Sequence, residues 1–341
     1  MAAWARRWQR VWSARGLAAC SLLPLAGLFG VASAIHRWIY RSGLRRVERL
    51  PVRVIVVGNL IAGGAGKTPT VLALVRLLKA RGLAPAVVSR GYGGNASGPI
   101  EVQPDTPAEI SGDEPLLLRR RAGVPVFVGT DRVEAARALL REHPGTDVVV
   151  SDDGLQHHRL ARDLQVLVFD ERGVGNGWLL PAGPLREALP AGIPADSIVL
   201  YNADRPTTPW SGWTAHRQLG DVVLLSDWWR GLQTRSDSLQ SLRGRPLLAA
   251  AGTARPERFF AMLRAAGLTF EELPLPDHFD YAQLPWPDAA ADVIVTEKDA
   301  VKLDPTRVGT TRVWVAALDF VPDPGFDAEV MRRLETSVAT A

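Results

Sequence analysis

Apolar residues recur along this chain in two distinct patterns. Short unbroken runs at 52–57, 86–89, 126–129, 148–151, 166–170 and 198–202 have the length and valine content of buried strands. Between them lie stretches with helical spacing. The clearest, 68–80, stops just before Gly82, where a helix-closing glycine belongs. Runs that alternate with helices predict an α/β fold, a mostly parallel sheet with helices on both faces. A second series follows a Ser- and Gly-rich stretch at 234–245: strands at 246–251, 269–273, 292–296 and 313–318, with a helix at 256–266. It predicts a smaller C-terminal α/β domain. The expected division is 1–45, 46–235 and 236–341.

A third pattern stands apart at the N-terminus. "GLAACSLLPLAGLFGVASAI", residues 16–35, carries no charge. As one helix of this length it would reach about 30 Å, the thickness of a bilayer core. Trp4, Trp8, Trp12, Trp38 and Tyr40 flank it, as interfacial aromatics do. An N-terminal membrane helix is therefore expected, spanning the bilayer or lying partly in its interface. Pro24 and three glycines weaken it as a span. A buried core helix and a cleaved export signal, suggested by "ASA" at 32–34, are the competing readings.

Charge sharpens the picture. Residues 1–53 hold ten arginines and one acid, Glu48, whereas the rest of the chain holds 30 basic and 35 acidic residues. The positive net charge thus comes from one end, around the apolar segment, which suits an anionic membrane surface. Nucleic acid is not an expected partner, since a binder of it would spread basic charge over its folded face. With 47% hydrophobic and 22% charged residues the chain is globular rather than disordered. Its single cysteine, Cys20, excludes an internal disulfide framework and a cysteine-based zinc site.

The most informative stretch is "VRVIVVGNLIAGGAGKTPTVLALVRLLKARG", 52–82. Strand, glycine-rich loop, Lys-Thr and helix together make a P-loop. Gly63, Gly64, Ala65 and Gly66 would wrap backbone N–H groups around phosphate oxygens at a helix N-terminus. Lys67 would reach the β/γ-phosphates, and the Thr68 hydroxyl would hold Mg²⁺. Ile61 occupies the place where the usual pattern has glycine, leaving a GGxGKT variant. A triphosphate cradle works where ATP is, in the cytoplasm, which argues against export.

Polar clusters end the predicted strands: "SRGYGG" (89–94), "GTDR" (129–132), "SDDGLQHH" (151–158) and "FDERGVGNG" (169–177). Ligands of such sheets gather at the carboxyl ends of the strands. In "SDDG" a hydrophobic strand runs into two acids, as a Walker-B strand does. Asp152 is expected to serve Mg²⁺ and Asp153 to face the γ-phosphate and acceptor. His157 and His158 are expected in a loop or helix start, because magnesium prefers oxygen ligands. "TEKD" (296–299) is near the guanine-reading pattern, but its lysine is one place late, so ATP rather than GTP is expected.

Taken together, "VGNLIAGGAGKTP", "SRGYGG", "GDEPLLL", "SDDGLQHHRL", "LLPAGPLRE" and "VTEKDAVK" resemble, in order, the tetraacyldisaccharide 4′-kinases of Gram-negative bacteria. The resemblance implies ATP-dependent phosphorylation of the 4′-hydroxyl of a tetraacylated disaccharide 1-phosphate, forming lipid IVA in lipid A biosynthesis. It also implies ATP and Mg²⁺ as cofactors, and work at the cytoplasmic face of the inner membrane. Asp113 is the preferred catalytic base, with Asp153 as the alternative. His278 is expected to support the base from the second domain once the domains close. Arg186 and Arg132 are expected on ATP phosphates or on the substrate 1-phosphate. Asn59, Glu114 and Gln156 are expected on the substrate side, and 296–299 at the cleft. The rival reading is a membrane-associated P-loop ATPase of the partitioning type, whose extra loop lysine is here Ala62.

Overall fold

Strand β1 (Arg53–Gly58) is apolar through its interior because it sits mid-sheet with both faces covered. Successive side chains point to opposite faces. Ile55 and Val57 accordingly join one core cluster, and Val54 and Val56 join another. Helix α4 (Lys67–Ala80) covers the first face, where Leu74 and Leu78 are fully buried. Each such side chain contributes about 1.5–3 kcal/mol of burial.

A computed structural model describes residues 2–232 and 238–336 of the chain; residues 234–237 of the expected linker lie outside them. Helices α1 (Ala2–Ser13), α2 (Leu17–Ser21) and α3 (Leu23–Arg41) precede β1 and α4. Then follow β2 (Pro85–Ser89), β3 (Ile100–Glu101), α5 (Ala108–Ser111), α6 (Asp113–Ala122), β4 (Val126–Val128), α7 (Arg132–Glu142) and β5 (Val148–Asp152). The chain continues through β6 (Leu164–Asp170), β7 (Ser197–Asn202), β8 (Trp213–Leu224) and α8 (Leu225–Trp229). It ends with β9 (Leu248–Ala251), α9 (Pro256–Ala265), β10 (Glu271–Pro274), β11 (Asp292–Thr296), α10 (Glu297–Ala300), β12 (Arg312–Pro322) and α11 (Phe326–Thr336).

Among the described residues twelve strands form one sheet, ordered β10-β9-β11-β12-β8-β7-β6-β1-β5-β2-β4-β3. Pairing is parallel except for β3 with β4 and β8 with β12. The fold is therefore mixed α/β with a large, mostly parallel sheet. Helices α4, α6 and α11 pack on one face of its first half and α7 on the other. In the second half, α9 covers one face, while α10 and the segment carrying Tyr281 and Trp286 cover the other. The long β8–β12 pair joins the halves, and α11 returns to the first core through Phe326, Val330 and Leu334. Sequence patterning misses β8, because its positions mix buried and exposed residues without a clean period of two.

The expected membrane helix takes a different form. The apolar run divides at Leu22, between α2 and α3, and Pro24 sits in the first turn of α3, where its missing N–H is tolerated. The part of the run inside α3, residues 23–35, rises only about 20 Å, less than a bilayer core. Among the described residues no helix is long and apolar enough to cross a membrane. The spanning reading is therefore corrected. Helix α3 instead packs its small side against the body: Ala26 is buried, and a Cβ on Gly30 would lie 2.8 Å from Leu179. Leu25, Leu28, Val31, Ile35 and Trp38, at helical spacing, remain exposed. Trp12 Nε1 donates to the Pro181 carbonyl at 2.9 Å and Arg15 Nε to that of Asn176 at 3.0 Å, which ties the entry to α2 onto the same body. Trp4 lies among the residues whose side chains are not described.

Candidate active site

The loop leaving β1 turns into the N-terminus of α4. Gly63 and Gly66 have φ of 90° and 100°, a region that side chains avoid. A Cβ on Gly66 would also come within 2.6 Å of Asn202 Nδ2. Ile61, the residue in place of the usual glycine, is fully buried and forms a β-bridge with Leu185. The loop is fastened from three sides. Asn59 Nδ2 donates to the Gly63 carbonyl (3.0 Å), and Asn202 Nδ2 to that of Ala65 (3.2 Å). Arg172 donates to the carbonyls of Ala62 (3.2 Å) and Gly64 (2.9 Å) while the Asp170 carboxylate holds its Nε at 2.9 Å. What remains open is a curl of backbone at a positive helix end, suited to an anion.

Lys67 is buried, and its Nζ lies 3.2 Å from Asn59 Oδ1 and 3.6 Å from Asp153 Oδ1. Asp153 adopts a φ of 47° just beyond β5, which turns its carboxylate toward Lys67 and toward Arg186 at 3.1 Å. Burial opposes its charge, but these two cations outweigh burial and hold the carboxyl below its ordinary range. Asp152 is its opposite. It ends β5 fully enclosed; Oδ2 accepts from Ser89 Oγ at 3.3 Å, and Oδ1 is buried without a hydrogen-bond partner. Burial, then the nearby Glu114 carboxylate, push Asp152 up to about 7. An orphaned buried carboxylate oxygen beside two further carboxylates, Asp153 and Glu114, fits a divalent cation, and oxygens are the donors magnesium prefers. Thr68, whose hydroxyl is the other expected donor, lies in the first turn of α4 and borders the cavity between the halves.

Asp113 opens α6, with Gly112 before it at a φ of 87°. Its Oδ1 accepts from the Glu114 N–H at 2.9 Å, and its Oδ2 lies 2.9 Å from His278 Nδ1. Burial opposes charge on Asp113, yet the hydrogen bond with His278 and the charge of Lys298 hold its carboxyl below the usual range. The same hydrogen bond raises His278, against burial and Lys298. The contact reaches across the halves, since His278 follows β10 of the second series. Arg121 of α6 pairs with Glu297 at 2.6 Å and with Asp319 at 3.0 Å, locking α6 to α10 and β12.

Two cavities lie beside these residues, although Asp113 and His278 line neither. The first lies between the halves, with Gly64, Gly66, Lys67 and Thr68 on one wall and Arg217, Arg255 and Phe259 on the other. The second is walled by Asp152, Asp153, Arg186 and Tyr92 and extends to Phe29 and His36 of α3. Glu114 borders both.

Of the remaining expected residues, Gln156 and Arg186 border a cavity, whereas Arg132 and Asn59 do not. Gln156 borders the second one and donates to Glu187 Oε1 at 2.9 Å. Arg186 also borders the second cavity rather than the loop-lined one. Arg132 is buried at the start of α7, donating to the Asp153 carbonyl at 3.2 Å, and borders neither. Asn59 is fully buried as a brace for the loop and for Lys67. His157 and His158 lie in the turn after β5, where the His158 ring is 5.5 Å from that of His36, tilted by 45°. Asn202 and Arg217 are not anticipated by sequence reasoning, and Asp170 and Arg172 fall in the polar cluster 169–177 without an assigned role. The one available signal was that Asp170 and Asn202 end predicted strands on the ligand-binding edge.

Known proteins resemble this chain in sequence and in fold. A family model described as tetraacyldisaccharide-1-P 4′-kinase, LpxK, matches residues 18–335. The tetraacyldisaccharide 4′-kinase of Methylibium petroleiphilum is 55% identical over 96% of this chain and 92% of its own. That of Leptothrix cholodnii is 52% identical over 97% and 96%. Among solved structures, LpxK from Aquifex aeolicus in complex with ATP superposes with a TM-score of 0.78 at 26% identity, covering 94% of this chain and 99% of that one. A match over nearly the whole length, in sequence and in fold, leaves one conclusion: the chain belongs to the tetraacyldisaccharide-1-phosphate 4′-kinase family.

Proposed function

We propose that this protein transfers the γ-phosphate of ATP to the 4′-hydroxyl of a tetraacylated disaccharide 1-phosphate, the lipid A biosynthetic step its relatives are named for. The observation that carries the residue-level reading is the meeting of two cavities at Glu114, one lined by the phosphate loop and one running to α3. The first takes ATP, and the second takes the sugar end of the lipid.

In this reading the first half is a P-loop kinase domain, and the smaller second half closes over the cleft. Backbone N–H groups of 63–68 hold the phosphates. Lys67 exchanges its contact with Asp153 for the γ-phosphate and offsets charge there as transfer proceeds. Thr68 and Asp152 hold Mg²⁺, which supplies charge neutralisation on the phosphate oxygens when bound. The 4′-oxygen attacks the γ-phosphorus, the bond to the ADP oxygen breaks, and the hydroxyl proton passes to Asp113. His278, donating to Asp113, holds the carboxylate in line. Arg186 orients Asp153 and, with Gln156, grips the sugar on the acceptor side.

The exposed stripe Leu25–Leu28–Val31–Ile35–Trp38 supports placement of α3 in the interface of the inner membrane, at its cytoplasmic face. Arg41, Arg45 and Arg46, at and just beyond its C-terminal end, would meet anionic headgroups. The test is to incubate the protein with γ-labelled ATP and the tetraacylated disaccharide 1-phosphate in detergent micelles. Label in the lipid supports the kinase. Free labelled phosphate with unlabelled lipid would assign the protein to the switch ATPases instead.

A further inference from the structure

The turn 296–299 organises His278 from two directions. Thr296 Oγ1 caps α10 and donates to Asp299 Oδ2 at 2.6 Å. The Asp299 carboxylate accepts from the Gly252 N–H at 3.1 Å, and the Gly252 carbonyl accepts from the His278 N–H at 3.2 Å. This chain holds the histidine backbone at a φ of 58°, a conformation side chains rarely adopt. One residue earlier in the turn, Lys298 reaches the other end of the same residue. Its Nζ lies 3.4 Å from His278 Nε2, 3.5 Å from Glu114 Oε1 and 3.5 Å from Asp277 Oδ1.

An ammonium group only donates, so a ring nitrogen facing it must accept. With Lys298 donating to it, Nε2 is the bare nitrogen, and the ring proton then sits on Nδ1, facing Asp113 Oδ2 at 2.9 Å. A doubly protonated ring would instead set an N–H against Lys298. The acids facing this ring, Asp113 and Glu114 from α6 and Asp277 from its own loop, favour protonation. Lys298 opposes it, while Lys302 acts on Asp113 from the same side, and the Tyr92 ring stands 6.1 Å away.

We propose that Lys298 is a positioning residue for phosphoryl transfer: facing Nε2, it favours the Nδ1–H tautomer of His278 and opposes a second proton on the ring while Asp113 receives the acceptor proton. The inference rests on the reading of Asp113 as base. Without Lys298, the ring takes up a proton at higher pH and Asp113 loses a neighbouring cation. Both changes move the acid limb of activity in the same direction.

The experiment measures kcat/KM for the lipid against pH, at saturating ATP, in Lys298→Met, Lys298→Gln and Lys298→Arg. The acid limb is expected to move up by about half to one pH unit in Met and Gln. Arg, which keeps the charge, returns it toward the wild-type position, and KM for ATP stays within about twofold, less than 0.5 kcal/mol. In a His278→Ala background the Lys298→Gln shift is expected to shrink to the part that Lys298 exerts on Asp113 directly. Gln keeps a donor facing Nε2, so it reads the charge even if Met fails to fold. Lower turnover with an unmoved limb would overturn the proposal in favour of a purely structural lysine. A raised KM for ATP with an unmoved limb would overturn it in favour of a nucleotide contact. Wild-type turnover in Asp113→Asn would instead remove the underlying base reading, a separate result.

Discussion

His278 Nδ1 lies 2.9 Å from Asp113 Oδ2, although 165 residues separate the two in the chain. The contact joins the start of α6 in the first half to a loop of the second, and it places an imidazole behind a buried carboxylate whose chain neighbour, Glu114, borders both cavities. If that carboxylate is the base, the imidazole acts on the chemical step and not on nucleotide capture. His278→Ala should lower kcat by about 10²–10⁴-fold. KM for ATP should stay within about threefold, less than 1 kcal/mol of binding. Steady-state kinetics with each substrate varied in turn checks this. A large rise in KM for ATP at unchanged kcat would place His278 on the nucleotide instead.

The same pair makes stability depend on pH. Asp113 is held below its ordinary value of 3.8, so its contribution is present above that value and is lost as pH falls through the lower folded one. His278 is raised above 6.5, so its contribution is complete below 6.5 and is lost as pH rises through the higher folded value. Both are present together between those two ordinary values. The drop in Tm caused by His278→Ala should therefore be largest near pH 5–6 and shrink above pH 7. Thermal unfolding across pH measures it, and a pH-independent drop would contradict the charge assignment.

Gly66 meets two constraints at once, a φ of 100° and a virtual Cβ 2.6 Å from Asn202. Gly66→Ala should cost about 1–3 kcal/mol of stability and distort the loop where phosphates bind. Isothermal titration with ATP should show affinity reduced by more than about tenfold, 1.4 kcal/mol. Unchanged ATP affinity would mean the loop is not the phosphate cradle.

The exposed stripe on α3 predicts peripheral membrane binding without a span. Replacing Leu25, Leu28 and Val31 by glutamate removes three large apolar side chains, each worth about 1.5–3 kcal/mol when buried. Co-sedimentation with anionic phosphatidylglycerol vesicles should fall by about 100-fold or more. Equal sedimentation of the variant would show that this face does not enter the interface.

Much of this was legible in the sequence where a local rule carries it. The parallel strands read as apolar runs because both of their faces are covered, and the glycine-lysine-threonine loop reads itself because its chemistry is contiguous. The Asp152–Asp153 step was visible as acids ending a valine run. What escaped was non-local. Strand β8 lacks alternation because it bridges two halves and is only partly covered. Arg172 and Asn202 hold the phosphate loop from 108 and 137 residues away, which no spacing rule anticipates. The apolar N-terminal run suggested one long helix by composition, but Pro24 and the packing of Gly30 on Leu179 divide and dock it.

The central claim is that Asp113 receives the proton of the 4′-hydroxyl while the phosphate loop holds ATP. A rapid-quench single-turnover experiment tests it most directly, with γ-labelled ATP, saturating lipid, and Asp113→Asn beside the wild type. The account predicts 4′-phosphorylated lipid from the wild type and a rate at least about 100-fold slower from Asp113→Asn. ATP affinity of that variant should stay within about threefold, under 1 kcal/mol. Equal single-turnover rates in the two proteins would contradict it.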